Sequence, residues 1–307
     1  MRQRRPLLNE SGPSSKPGEK CDVDHTAYFL PDSERAGAAL IQLGFTLTPF
    51  SAQSHRLEPG APLMPAGTGN RCVMLKRGYL EFLTPTHDTP NAEQLRLAIR
   101  RYTGMHLIAF GTQTPDTDFQ RLNAGGFAPL TPVALQRQTT TETGEATARF
   151  TVVRVAPASM AEGRIQFCQH HTRDVVWQPR WLTHANHAVG LAGVVLCVAD
   201  PAEAAQRYAR FTGLPASAHS AGATWRLDSA QGYLLFVPPA WLQQSWGITA
   251  PALPWIAGCV IDSDDMAATH SIVQGATIGD RVLVTLHPSL GGLMIFQPLG
   301  SATPDVR

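Results

Sequence analysis

The 307-residue chain has no CxxC pair, no run of about 18 apolar residues and no charge bias, and each absence removes a class of function. Its five cysteines, Cys21, Cys72, Cys168, Cys197 and Cys259, are odd in number and scattered. That usage suits reduced thiols in a cytoplasmic protein better than a disulfide framework or a structural zinc site. With 25 basic and 24 acidic residues the net charge is +1, so neither nucleic acid nor an anionic membrane is an expected partner. The basic run Arg2, Arg4, Arg5 reads as a solvated tail, and residues 1–20, rich in Pro, Ser and Gly, as a disordered leader without a signal-peptide core. The stretch "AGTGNR" (66–71) lacks the Lys-Ser/Thr ending of a phosphate loop and opens no helix, so it reads as a turn entering a strand. No Ser-His-Asp or Cys-His arrangement has local spacing, and no dinucleotide fingerprint is present.

What the sequence does have is a 43% hydrophobic fraction, enough for two ordinary domains, and an internal repeat. Four stretches begin at Asp24, Met105, Leu191 and Trp255. Each reads as an apolar strand, a polar cap, a helix of about three turns and a stop glycine. Asp32, Asp116 and Asp200 stand as caps at an even spacing of 84, with Asp262 or Asp264 in that role in the fourth unit. Gly44, Gly126, Gly213 and Gly275 are the stops. Each unit closes on a Gly-led strand: "RGYLEFLTP", "EGRIQFCQHH", "QGYLLFVPP" and "GGLMIFQP". The expected fold class is α+β, with four βαβββ modules. The expected domains are 21–171 and 188–300, joined by a linker at 172–187 that Trp177 and Trp181 anchor and Pro179 interrupts, and followed by a tail at 301–307.

His25 lies seven residues before Asp32 in the first strand. By spacing alone it reads as a core histidine satisfied by a neighbour, or as a lining residue. Glu81, between Leu80 and Phe82, faces the opposite side of its strand from them. A carboxylate there is costly unless it has a partner or a polar cup to face.

The pattern resembles the vicinal oxygen chelate superfamily, and more narrowly the bacterial glyoxalase-like-domain proteins. "DHTAYFLPD" with "LGFTLTP", "GTGNRCVMLKRGYLEFL" and "FCQHHTRDVVWQPRWLTHANHA" carry the resemblance. It implies modules paired into two cupped mixed sheets, with ligands for a divalent metal (Mn, Fe, Ni or Zn) on the first and last strand of a module. His25 and Glu81 occupy those places in the first module. In the second, counting seven back from Asp116 reaches Ala109, which offers no ligand, and His106 should face the other way unless a bulge intervenes. Gln166 aligns with Glu81 as a third, neutral ligand or a substrate contact. His170 lies on the Gln166 face but roughly 13 Å along the strand, so it reads as a cup-rim substrate contact, as one of an exposed loop pair with His171, or as a ligand only if the chain bends there. His55 and Asn70 would border the cup.

The third and fourth modules hold Gly193, Leu235, Gly258 and approximately Phe296 at the four ligand places, so the second half is expected to be metal-free. That departs from extradiol dioxygenases, whose metal sits in the C-terminal half. Two functions stay open. One is a metal-dependent lyase, isomerase or dioxygenase acting on a small oxygen-bearing substrate, with Glu81 also available as catalytic base. The other is a metal-free, ligand-sequestering protein of the bleomycin-resistance type. The partner expected is a small molecule, and the chain a monomer or homodimer.

Overall fold

The computed structural model describes residues 21–55, 64–219 and 223–301; the expected leader and the end of the tail lie outside them. The first module runs β1 (Val23–Phe29), α1 (Ser33–Gln42), β2 (Ser51–His55), β3 (Met64–Met74) and β4 (Tyr79–Pro85). After α2 (Pro90–Arg101) comes the second, with β5 (Gly104–Gly111), α3 (Pro115–Ala124), β6 (Val133–Thr141), β7 (Gly144–Arg154) and β8 (Arg164–His170). A short helix α4 (Arg173–Val176) leads to the third, β9 (Ala188–Cys197), α5 (Pro201–Thr212), β10 (Ala216–Ala218), β11 (Trp225–Asp228) and β12 (Tyr233–Val237). Then α6 (Pro239–Trp246) precedes the fourth, β13 (Trp255–Ser263), α7 (Met266–Ile272), β14 (Ala276–Ile278), β15 (Arg281–Thr285) and β16 (Leu293–Pro298). The βαβββ order thus occurs four times, and the helices between modules are additions that the repeat pattern does not contain.

The first two modules form one eight-stranded sheet, β2-β3-β4-β1-β5-β8-β7-β6, and the last two another, β10-β11-β12-β9-β13-β16-β15-β14. Each is mixed: β1 pairs parallel with β4 and antiparallel with β5, and β9 does the same with β12 and β13. The sheets join where Ile256 of β13 meets Met105 of β5. One apolar core lies on the helix-facing side of both, with Tyr28, Leu80, Phe110, Phe167, Phe211 and Phe236 fully or nearly fully buried in it.

The helix caps correct two expectations. Asp32 and Asp200 do cap α1 and α5, accepting backbone N–H groups at 2.9–3.0 Å. The cap of α3 is Thr114, with Pro115 in the first helical position and Asp116 in the first turn. The cap of α7 is Asp265, which accepts from the Ala268 N–H at 3.0 Å. Asp262 instead lies buried in β13, held by Arg77 and by the Gln297 amide. Gly44, Gly126 and Gly213 follow their helices at positive φ, but Gly275 does not. A side chain there would meet the Leu283 carbonyl at 2.5 Å, so that glycine serves a close approach of two strands.

With the true caps, the repeat shows a fixed irregularity. Strand pairing skips one residue at Asp24 in β1, His106 in β5, Ala192 in β9 and Ala257 in β13. Each stands eight positions before its cap, Asp32, Thr114, Asp200 or Asp265. These are β-bulges, in which two residues oppose one and a side chain is re-aimed.

The cap assignment has a measurable consequence. In denaturant titrations, Asp32→Ala and Asp200→Ala should each cost about 1 kcal/mol, while Asp116→Ala, which removes no cap bond, should cost about 0.3 kcal/mol.

Candidate metal centre

The bulge in β1 decides the first cup. In a regular strand Asp24 and His25 would face opposite sides; here both reach His170, at the end of β8. Asp24 Oδ2 lies 2.6 Å from His25 Nδ1 and 2.9 Å from His170 Nε2. The ligand atoms of all three fall within 4.8 Å of one another, and the side chains are 9%, 5% and 6% exposed. Burial alone would raise the Asp24 carboxyl, but hydrogen bonds from His170 and His25 outweigh it and hold the group well below the usual carboxylate range.

Aromatic rings box this cluster. The Tyr79 ring stacks on His25 at 4.4 Å, and Trp177 and Phe150 meet His170 edge-on at 4.9 and 5.0 Å. Burial, with Asp24 and Glu81 adding to it, pushes the Tyr79 phenol well up, so it stays a neutral hydroxyl. Trp177 is pinned by a 3.0 Å bond from its indole N–H to the Leu75 carbonyl. The segment from Val175 to Leu182, read from sequence as a linker, therefore packs over this end of the cup. His170 Nδ1 is buried with no partner.

Glu81 lies on the same face as His25, two residues along β4 from Tyr79, His25's register partner. It accepts from Asn70 Nδ2 at 2.5 Å and Gln53 Nε2 at 3.4 Å, and the Thr68 hydroxyl in turn donates to Gln53 Oε1 at 2.6 Å. These donors orient its carboxyl, and it is not part of the Asp24 cluster. Gln166 also faces the cup, buried, with its Oε1 unpartnered. So the sequence-predicted residues divide. His25 meets His170; Glu81 meets Asn70; Gln166 stands apart; the His55 side chain lies outside the described residues.

Sequence reasoning missed Asp24, because alternation assigns it to the core side. Counting eight back from each true cap would have found it. Counting seven back from the true cap Thr114 gives Leu107, not Ala109, as the counterpart of His25 in the second module, and the register of β13 with β16 gives Ile295, not Phe296, as that of Glu81 in the fourth. The bulge at His106 exists, but His106 Nε2 donates to the Tyr102 carbonyl at 2.8 Å and its ring stacks on Tyr102 and Phe29. It contributes nothing to the Asp24 cluster.

The second cup is apolar. Leu235, Leu293 and Ile295 pack there with Trp241 and Leu242 of α6. A side chain at Gly193 would strike the Tyr233 ring at 2.8 Å, and one at Gly258 would overlap the Leu293 carbonyl. Neither place can carry a ligand.

Comparison with known proteins agrees with the fold. The model of the glyoxalase-like domain matches residues 23–212. No curated protein matches this sequence. Among solved structures, a hypothetical protein from Staphylococcus aureus is similar at TM-score 0.63 and 10% identity, over 90% of this chain and 99% of that one. A variant of 4-hydroxymandelate synthase from Streptomyces coelicolor is similar at 0.52 and 12%, over 94% and 95%. The Mn(II)-bound glyoxalase from Novosphingobium aromaticivorans is similar at 0.50 and 10%, over 91% and 82%.

Burial pushes His106 down from the usual 6.5 to about 4. The unfolded chain then binds the extra proton first, so this residue's stabilisation is complete above pH 6.5 and is lost as pH falls toward 4. The loss should reach about 3 kcal/mol at most, and urea titrations of His106→Phe should show a correspondingly flatter pH dependence between those values.

Proposed function

The chain belongs to the glyoxalase-like domain family of the vicinal oxygen chelate superfamily, and from that premise we propose that it is a divalent-metal-dependent enzyme centred on Asp24, His25 and His170. The reaction class is that of a lyase, isomerase or dioxygenase on a small oxygen-bearing substrate in the first cup.

The observation that carries this reading is the donor set. Two imidazoles and one carboxylate suit Mn, Fe, Ni or Zn and leave coordination positions open. The fit can be judged from the spacing. Ligands at right angles with bonds of about 2.1 Å stand about 3 Å apart, and the two contacts to Asp24 measure 2.6 and 2.9 Å. A bound ion would supply Lewis-acid polarisation of a substrate oxygen. The chain's own residues do the rest. Trp177, Tyr79 and Phe150 keep water from the histidines. Before an ion binds, Asp24 orients both rings through one oxygen. Glu81, fixed by Asn70 and Gln53, is the group placed to take a proton from a substrate C–H.

One observation favours the metal-free reading. Asp24 is already satisfied by its two histidines, so the cluster holds together without an ion. Metal content decides between them. Untagged protein should carry close to one equivalent of metal, His25→Ala and His170→Ala should lose it, and Glu81→Gln should keep it. Protein that binds none, and shows no affinity for Mn, Fe, Ni or Zn on titration, would overturn the metal-dependent reading and leave the metal-free one.

A further inference from the structure

The other end of the first cup carries two arginines that form no ion pair among the described residues. Arg164 opens β8 and lies on its cup side, two residues before Gln166. Arg154 is the register partner of Gln166 on β7. Cup-lining Val152 and Cys168 sit two residues from Arg154 and Gln166, which places both of those on the same face. Among the described residues neither arginine forms an ion pair. Arg154 Nε is buried with no hydrogen-bond partner. Arg164 has only a 3.3 Å bond to Gln94 Oε1 and a face contact with the Phe29 ring at 5.6 Å.

Burial pushes the Arg164 guanidinium down to about 10, and the like charge of Arg154 adds to that. Glu81 is the acidic group facing them and offsets part of their charge, but its carboxyl is held by Asn70 and Gln53 and, among the described residues, pairs with neither arginine. Two half-buried, weakly partnered guanidinium groups facing one cup are costly in the empty protein, and an anion would offset that cost. Gln166 supplies the second sign of a missing ligand. It is 5% exposed, its Oε1 is unpartnered, and its amide can present either end. Between these groups and the histidines the sheet carries the small side chains of Ala27 and Ala109.

We propose that Arg154 and Arg164, with Gln166 between them, form an oxyanion subsite, and that the substrate is a small carboxylate with an apolar body. The apolar body would lie against Phe29, Leu107 and Val152, which line the same cup. The carboxylate would pair with the two arginines as planar, charge-assisted donors. This rests on the first cup being the substrate site, but it does not require a metal.

Calorimetric titration of the full chain tests it, with phenylacetate, its neutral methyl ester and inorganic phosphate as probes, each with EDTA-treated and Mn-loaded protein. Phenylacetate should bind at least tenfold tighter than its ester in both metal states. Arg154→Met and Arg164→Met should each weaken phenylacetate at least tenfold while raising the melting temperature of the ligand-free protein. Arg164→Lys, which keeps the charge, should recover part of the loss. Phosphate binding more tightly than phenylacetate, and lost in the same variants, supports the oxyanion subsite and assigns it to a phosphate ester. Equal binding of acid and ester, or variants that melt lower with unchanged affinity, would overturn the proposal. If the protein binds no metal yet still prefers the acid, the metal centre falls and this subsite stands.

Discussion

A carboxylate taken out of water must be paired, and Asp24 is paired twice, to His25 on its own strand and His170 on the far side of the cup. Those contacts exist because β1 bulges where it does. Without the extra residue Asp24 would point into the Tyr28 and Phe110 core, where no partner waits, and the two histidines would face each other with nothing between them. The bulge itself is common to all four modules. A backbone feature of the repeat has thus been given a charged side chain in one module only. Imidazole, carboxylate and imidazole converge there, and the surrounding rings hold them in place.

The two halves show how far one fold can diverge in its cups. In the second, the bulge positions are Ala192 and Ala257, the next positions are Gly193 and Gly258, and α6 seals the space with Trp241 and Leu242. That cup contributes apolar burial. In the first, α2 covers one end with Leu95, and the segment around Trp177 covers the other. Between these covers lies a polar interior, with the histidine cluster at one end and two arginines at the other. The polarity is a stability cost that the apolar half does not carry, as expected where a site is kept for ligands rather than for packing.

Much of this was legible in the sequence, and the misses have physical causes. The four modules followed from strand, cap, helix and glycine signals. The burial of Leu80 and Phe82 opposite Glu81 followed from simple alternation, and the family resemblance put Glu81 in the cup. The errors trace to one local ambiguity. Asp116, Asp262 and Asp264 look like caps in sequence, yet Thr114 and Asp265 do the capping, and a two-residue slip in the second cap moved the expected counterpart of His25 from Leu107 to Ala109. Bulges leave no mark in composition, so strict alternation hid Asp24 from the cup. His170 looked too distant from Gln166 to join a centre there. The centre instead lies at the β1 N-terminal end, which the antiparallel β1–β5 pairing sets beside the end of β8.

The most direct test of the centre is anomalous diffraction from crystals of the protein equilibrated with Mn(II). The expected result is one strong peak within bonding distance of Asp24 Oδ2 and of one ring nitrogen each from His25 and His170. A peak at Glu81 and Gln166, or no peak in the first cup at millimolar metal, would contradict the account.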